Sequence, residues 1–551
     1  MRLCSTVTWV LLILLCFAGI NRPLWTPDEP REAEISREMA LSASIIPQLG
    51  GVAFCEKPPL YYGLVAAIFH ARGSHSAEAA RFVSMLAGLL TLVILFLWGR
   101  QAAGRAIGWI AIALLGTSAQ FLLSTHWIRP DALLMLWCTL AFWASWQILA
   151  GARNARVLAL LYGTLVLALW TKGLVGPVVV AAGVSLAFFV EREDPCWQRL
   201  HPVLGVGVLA AALLLLGALI YLEGGMNALR LWAWDNHVLR FVSPAETGHR
   251  QSIAYYLPRF PLALSPWVAP FAFVLTRAFW QDAEPRRARI KRFAGALCAG
   301  GLLVLSASAS KREIYLLPIL PPAALLLALS LQHGARVLSH KAHGGIGWSK
   351  ILAWLQMGAS TLWAILPGVA LLTYLGRFSA SAALSVFGAL ACALTAAIFL
   401  YQARYKHAFT ALALSAGVGA ASLLLLVAPV LNAKKDFTPF ITEMDQWLSS
   451  GEAVYAIGVD ETLLGIVPFL TGRQVIAWDK ADFEAAWPEG AVSTGLATSR
   501  PSPHFLLVQS KTKPERVVSP TFEMVHSATV GNKRRLTLWR RTPFSTLEKG
   551  P

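Results

Sequence analysis

The run Trp25-Thr-Pro-Asp28-Glu29-Pro-Arg31-Glu32-Ala-Glu34-Ile-Ser-Arg37-Glu38-Met39 decides how this chain is read. It follows an apolar segment, Val7 to Ile20, and precedes a second polar knot, Glu56-Lys57-Pro58-Pro59-Leu60-Tyr61-Tyr62. Five carboxylates and two arginines fall within eleven residues of a chain that is otherwise mostly apolar. A charge left in hydrocarbon costs several kcal/mol on insertion scales. A cluster like this beside an apolar span is therefore solvated, paired or put to use. The plainer alternative is an amphipathic helix lying on a membrane. Pro27 and Pro30 suit its first turn, where a missing N–H costs little.

Of the 551 residues, 56% are hydrophobic and only 14% are charged, with a mean hydropathy of +0.56. Soluble domains carry about 25% charged residues. Repeated apolar stretches near the length of a membrane crossing, divided by short basic loops, point to a polytopic helical membrane protein. Without water in the bilayer core, such spans must be helices that satisfy their own backbone. The formal net charge of +17 does not indicate a nucleic-acid partner, because aromatic residues and leucine separate the basic clusters. Those clusters sit in short loops, where they suit anionic lipid headgroups. Seven cysteines are scattered without a CxxC pair, which argues against a zinc knuckle or a disulfide framework. The first apolar segment lacks a clear small-residue cleavage site and reads as a retained span.

Hydropathy predicts about thirteen spans. They lie near 4–20, 80–98, 106–125, 132–150, 157–170, 177–190, 203–222, 262–280, 293–308, 316–332, 351–375, 381–401 and 408–430. One set of alternate loops holds Arg100, Arg105, Arg153, Arg156 and the run Arg286 to Arg292, with few carboxylates. The positive-inside rule places that set in the cytoplasm, so the Asp28 loop faces outward. The expected fold is mainly α: a transmembrane helical bundle over 1–430, with long outward loops at 21–79 and 223–261. From about Asp436 the pattern changes. Segments 453–458, 474–478, 504–508 and 535–539 read as strands, with helices near 438–449 and 480–487. Residues 436–551 are thus expected to form a small outward α/β domain, long enough for a modest core.

The first loop, followed by Phe54-Cys-Glu56-Lys57-Pro58-Pro59, resembles the type-C membrane glycosyltransferases of the dolichyl-phosphate-mannose-protein mannosyltransferase-like superfamily. Within them it looks most like the branch of the lipid A 4-amino-4-deoxy-L-arabinose transferases. Thr171-Lys172-Gly173, Asn236-His237-x-x-Arg240-Phe241 and Ser310-Lys311-Arg312-Glu313-x-Tyr315 support the likeness. The resemblance implies an enzyme of the bacterial inner membrane with a periplasmic site. Its donor would be a polyprenyl-phosphate sugar, such as an undecaprenyl phosphate derivative, and its acceptor lipid A or another envelope glycan. It also assigns the catalytic carboxylate to Asp28. A carboxylate can take a proton from an attacking hydroxyl or stabilise charge developing on the sugar. The departing lipid phosphate needs cations.

Arg31, Lys57 and Arg240 are the first candidates for that phosphate; Lys172, Lys311 and Arg129 follow. Arg31 could instead pair with Glu34 or Glu38 at helical spacing, and Lys172 and Lys311 could snorkel from helix ends. Glu56 with His237 could hold a divalent metal, as the related transferases suggest, though a hydrogen-bonded histidine is the plainer reading. Glu32 departs from the family, which often has an aromatic residue there. Either it points away from the donor phosphate or it helps to recognise an amino sugar or a cationic acceptor. A protein O-mannosyltransferase, a lipid or sugar transporter and a non-catalytic scaffold remain the competing readings. Against transport, most charge lies in outward loops rather than on broken helices at mid-membrane.

Overall fold

The computed structural model describes residues 2–541 except 43, 192–194, 240–250, 341–347, 376–379, 403, 480–503, 511–521 and 531–533. Helix α1 (Arg2–Phe17) leads into an outer layer made by α2 (Asp28–Ser42), a short hairpin of β1 (Gln48–Leu49) and β2 (Val52–Ala53), and α3 (Leu60–Arg72). Helix α4 (Ala77–Ala103) then enters the bundle. Its start is fixed by Ser76, whose side chain accepts from the Ala79 N–H. Among the described residues, nine helices are long and apolar enough to cross a membrane. The number is ten if the bent pair Arg105–Gly116 and Ala119–Thr125 forms one span.

The other expected spans fall on shorter or broken helices. Helices Arg2–Phe17 and Val175–Val190 have 16 residues each, shorter than a full crossing. The stretch read as a span over 262–280 is instead divided among the end of Tyr256–Ala263, Ala269–Val274 and Arg277–Trp280, with Pro266 between the first two and Pro270 opening the second. The bundle packs through small residues. A Cβ on Gly300 would lie 2.7 Å from the Ala182 carbonyl oxygen and the Gly183 Cα, so helices Pro285–Ala307 and Val175–Val190 touch backbone to backbone.

At the C-terminal end, β3 (Val454–Ile457), β4 (Val475–Trp478), β5 (Phe505–Ser510), β6 (Phe522–Val530) and β7 (Arg534–Arg541) form one sheet in the order β4-β3-β5-β7-β6. Strand β3 runs parallel to β4 and β5; β7 is antiparallel to β5 and β6. Four of these strands match the expected segments and β6 is an addition. Helix Thr438–Trp447 matches the expected 438–449, whereas 480–487 lies outside the described residues. The sheet does not stand apart from the outer layer. Leu24, Ala33, Ile35, Tyr62 and Val65 share one buried core with Phe440, Leu463, Ile466, Leu507 and Leu538. The end of helix Pro202–Arg230 also reaches the segment after α2. The Glu223 carboxylate accepts from the Ile45 and Ile46 N–H groups at 3.0 Å and from the Ser44 hydroxyl at 2.8 Å.

Candidate active site

Helix α2 begins with Asp28 and Glu29 in its first turn, where carboxylates favour the positive end of the helix dipole. The two point to different surroundings. Glu29 is fully buried. It accepts from both terminal nitrogens of Arg22 at 2.6 and 2.8 Å and from Arg81 Nε and Nη2 at 3.0 and 3.1 Å. Two backbone donors, Trp25 N–H at 2.7 Å and Ile128 N–H at 3.2 Å, complete its shell. Burial alone would push this carboxyl up, but Arg81 and Arg22 outweigh it and hold the group at about 2. The arginines use their remaining donors on backbone. Arg22 reaches the His126 carbonyl at 2.6 Å, and Arg81 reaches those of Ile20 and Pro23 at 2.8 and 2.7 Å. This paired core ties the entry of α2 to α4 and to the segment before Arg129.

Asp28 retains 8% of its surface and faces three arginines from separate stretches. Arg129 Nη2 donates to its Oδ2, Arg31 Nη2 lies 3.3 Å from its Oδ1, and Arg312 Nη2 lies 4.0 Å from Oδ2. Arg129 is also seated over the Trp127 ring at 4.3 Å, which restrains its fork.

One turn further on, Glu32 is fully buried. Lys57 Nζ donates to its Oε1, Arg31 Nη2 lies 2.7 Å from the same oxygen, and the Tyr62 hydroxyl donates to Oε2 at 2.6 Å. Burial pushes this carboxyl up, and Lys57 and Arg31 pull it further down, to about 2. The unusual Glu32 is thus neutralised inside the loop. It orients two of the expected phosphate-binding cations, and through Arg31 it links Lys57 to Asp28. Burial also lowers the Lys57 ammonium, despite the Glu32 charge. Arg31 Nη1 makes a further contact with Glu461 of the C-terminal region.

Arg31 therefore pairs with Asp28, Glu32 and Glu461, not with Glu34 or Glu38 as its spacing alone allowed. Glu34 instead takes Arg37 at 2.7 Å, and Glu38 accepts from the Gly50 N–H at 2.6 Å. Lys172 contacts Asp131, with its Nζ 4.9 Å from the centre of the Tyr315 ring. Lys311 is 4% exposed and donates to backbone carbonyls, including that of Gln251 at 3.2 Å. Arg240 lies outside the described residues. His237 falls in the π-helical segment Leu231–Leu239, but its side chain lies outside the description. Glu56 is half-buried beside Lys57 in the chain, and among the described residues no group of three or more metal-capable side chains occurs. Arg312, Arg22, Arg81, Tyr62 and Glu461 were not singled out from sequence. Arg312 was within reach of that reading, since it follows Lys311 in a quoted motif.

Residues 56–221 match the family described as dolichyl-phosphate-mannose-protein mannosyltransferase. The chain is 30% identical over 323 residues to the undecaprenyl phosphate-alpha-4-amino-4-deoxy-L-arabinose arabinosyl transferase 2 of Proteus mirabilis, covering 56% of this chain and 55% of that one. It is 32% identical over 382 residues to the corresponding transferase 1 of Sodalis glossinidius, covering 65% of each. The aligned part thus spans between about half and two thirds of these relatives' length. In fold, it superposes on the crystal structure of ArnT from Cupriavidus metallidurans bound to undecaprenyl phosphate with a TM-score of 0.74. That match has 18% identity and covers 98% of both chains. This is thus a multi-pass, mainly helical chain that resembles the aminoarabinose transferases among the type-C membrane glycosyltransferases, in sequence over part of its length and in fold over nearly all of it.

Proposed function

We propose that the chain is an inner-membrane glycosyltransferase that moves a sugar from an undecaprenyl-phosphate donor to lipid A or another envelope glycan on the periplasmic side. The observation that carries this reading is the largely buried Asp28 carboxylate, faced by Arg129, Arg31 and Arg312, with Lys57 joined through Arg31 and Glu32. An anionic leaving group and an attacking oxygen need such a mixture of fixed cations and a carboxylate that the same cations can release. In the transfer step the acceptor oxygen bonds to the anomeric carbon, and the bond from that carbon to the phosphate oxygen breaks. The lipid phosphate leaves with the electron pair. When the acceptor is a hydroxyl, its proton passes to Asp28. Lys57 and the arginines hold the phosphate while its charge grows; Arg240 is included in that set.

The finer organisation belongs to the same proposal: thirteen spans in 1–430, periplasmic loops at 21–79 and 223–261, and a periplasmic domain at 436–551. Glu56 and His237 are the residues that would hold a divalent metal in this proposal. The relatives' names favour an aminoarabinose donor, while the family match favours mannosyl transfer to protein hydroxyls as the second reading. Transfer of labelled sugar from polyprenyl-phosphate donors in membranes carrying this chain, with lipid A and exported proteins as acceptors, separates them. Asp28→Asn is expected to lower transfer about 10²–10⁴-fold. Undiminished transfer by that variant removes Asp28 from its role.

A further inference from the structure

The helix Glu461–Thr471 of the C-terminal region lies directly on the first turn of α2. Its start is fixed from its own side: the Asp460 side chain accepts from the Thr462 and Leu463 N–H groups at 3.1 and 3.2 Å, and its other oxygen lies 2.8 Å from Arg534 of β7. One turn along, a Cβ on Gly465 would meet the Pro30 carbonyl carbon and oxygen at 2.5 Å and the Arg31 nitrogen at 2.6 Å. All three are backbone atoms, so the approach depends on glycine. Leu463, Ile466 and Val467 are buried in the core shared with α2 and α3. The last turn is also held, because the His75 ring contacts the Phe469 carbonyl at 3.0 Å. This helix is thus held rigidly against the residues that flank Asp28.

That placement gives Glu461 a definite position. Its carboxylate contacts Arg31 Nη1, while Nη2 of the same guanidinium serves Asp28 and Glu32. Asp28 and Glu32 side chains are 11% and 0% exposed, whereas that of Glu461 is 53% exposed. It is the Arg31 partner that water reaches and that can turn away without opening the core. We infer that Glu461 is a positioning residue. It holds the Arg31 fork toward Asp28 in the empty site and competes with the donor's phosphate for Nη1. The C-terminal region thereby forms a wall of the site and tunes how tightly the lipid phosphate is retained. This rests on the proposed polyprenyl-phosphate reading.

The test titrates undecaprenyl phosphate into the purified full-length chain in detergent micelles and follows tryptophan fluorescence. Glu461→Gln keeps an acceptor for Arg31 but removes one negative charge near the bound phosphate. At a water-exposed position this is worth about a three- to tenfold gain in affinity. The gain should shrink as salt rises from about 0.05 M to about 0.5 M, which a purely structural role would not produce. Glu523→Gln, which removes a carboxylate from the Glu523–Arg540 pair on the sheet, should leave affinity unchanged. Glu461→Ala gives the same direction and guards against an effect special to the amide. Equal or weaker binding by both Glu461 variants, in a chain that itself binds, overturns this inference and leaves the functional reading standing. No binding by the unaltered chain overturns both.

Discussion

Replacing Glu29 with glutamine tests whether the outer layer is built on a buried ionic knot. Glu29 is fully buried, and its shell consists of two arginines and two backbone donors. Its carboxyl titrates at about 2 in the fold against an ordinary value of 4.5, because the pull of Arg81 and Arg22 exceeds the effect of burial. That difference corresponds to about 3 kcal/mol of stability. Removing one partner of a buried pair independently costs about 3–5 kcal/mol, since the other charge is left uncompensated. The direction with pH follows from the depressed value. The contribution is complete above about pH 4.5 and is lost as pH falls toward 2. Thermal unfolding of the purified protein should therefore show Glu29→Gln well below the unaltered chain at pH 7. The two should approach each other as the pH falls below about 4.5. Equal stability at pH 7, or a difference independent of pH, would refute the argument.

Glu34 is expected to behave in the opposite sense. Burial, only partly offset by Arg37, pushes its carboxyl up to about 7. The fold therefore favours the protonated form, and stability declines as pH rises from about 4.5 through 7. Glu34→Gln should flatten that decline in melting curves taken across the range, and an unchanged slope would count against it. Gly465→Ala places a methyl group 2.5 Å from the Pro30 backbone, where nothing can yield. Overpacking of this kind costs about 1–3 kcal/mol. Both the melting temperature and labelled-sugar transfer should fall; a variant matching the unaltered chain in both would show that the contact is dispensable.

The sequence was most informative where the signal is local. The strand-forming segments near 454, 475, 505 and 535 rest on short-range alternation, and all four reappear in the structure; most of the apolar stretches reappear as long helices. The other expected spans fall on helices that hydropathy averages over: a proline-containing stretch at 262–280 and two helices of only 16 residues. The site was legible in part. Asp28, Arg31, Lys57 and Arg129 stand in motifs that could be read, and they converge. Their partners could not be read, because ion pairs such as Glu29–Arg81 and Arg31–Glu461 join residues far apart in the chain. Helical spacing even suggested the wrong partners for Arg31, since a tertiary ion pair with Glu461 and an adjacent one with Glu32 prevailed over the positions three and seven residues on.

The density of acids in α2 now has a physical account. Five carboxylates on one helical segment would repel one another, yet four have separate partners. Glu29 holds Arg22 and Arg81, Glu32 holds Lys57 and Tyr62, Glu34 holds Arg37, and Glu38 holds the hairpin N–H groups. Each of these contacts fixes the helix, the hairpin or the neighbouring span. Asp28 differs in that it is faced by three arginine forks that a phosphate could also engage. Phosphate and carboxylate both match the planar, bidentate donor pattern of arginine. Under the proposed function, a donor phosphate entering beside Asp28 would take over part of the Arg129, Arg31 and Arg312 contacts and free a carboxylate oxygen as the anionic lipid arrives. On the proposed reading, substrate binding and exposure of the base become one event, because the same guanidinium groups serve both.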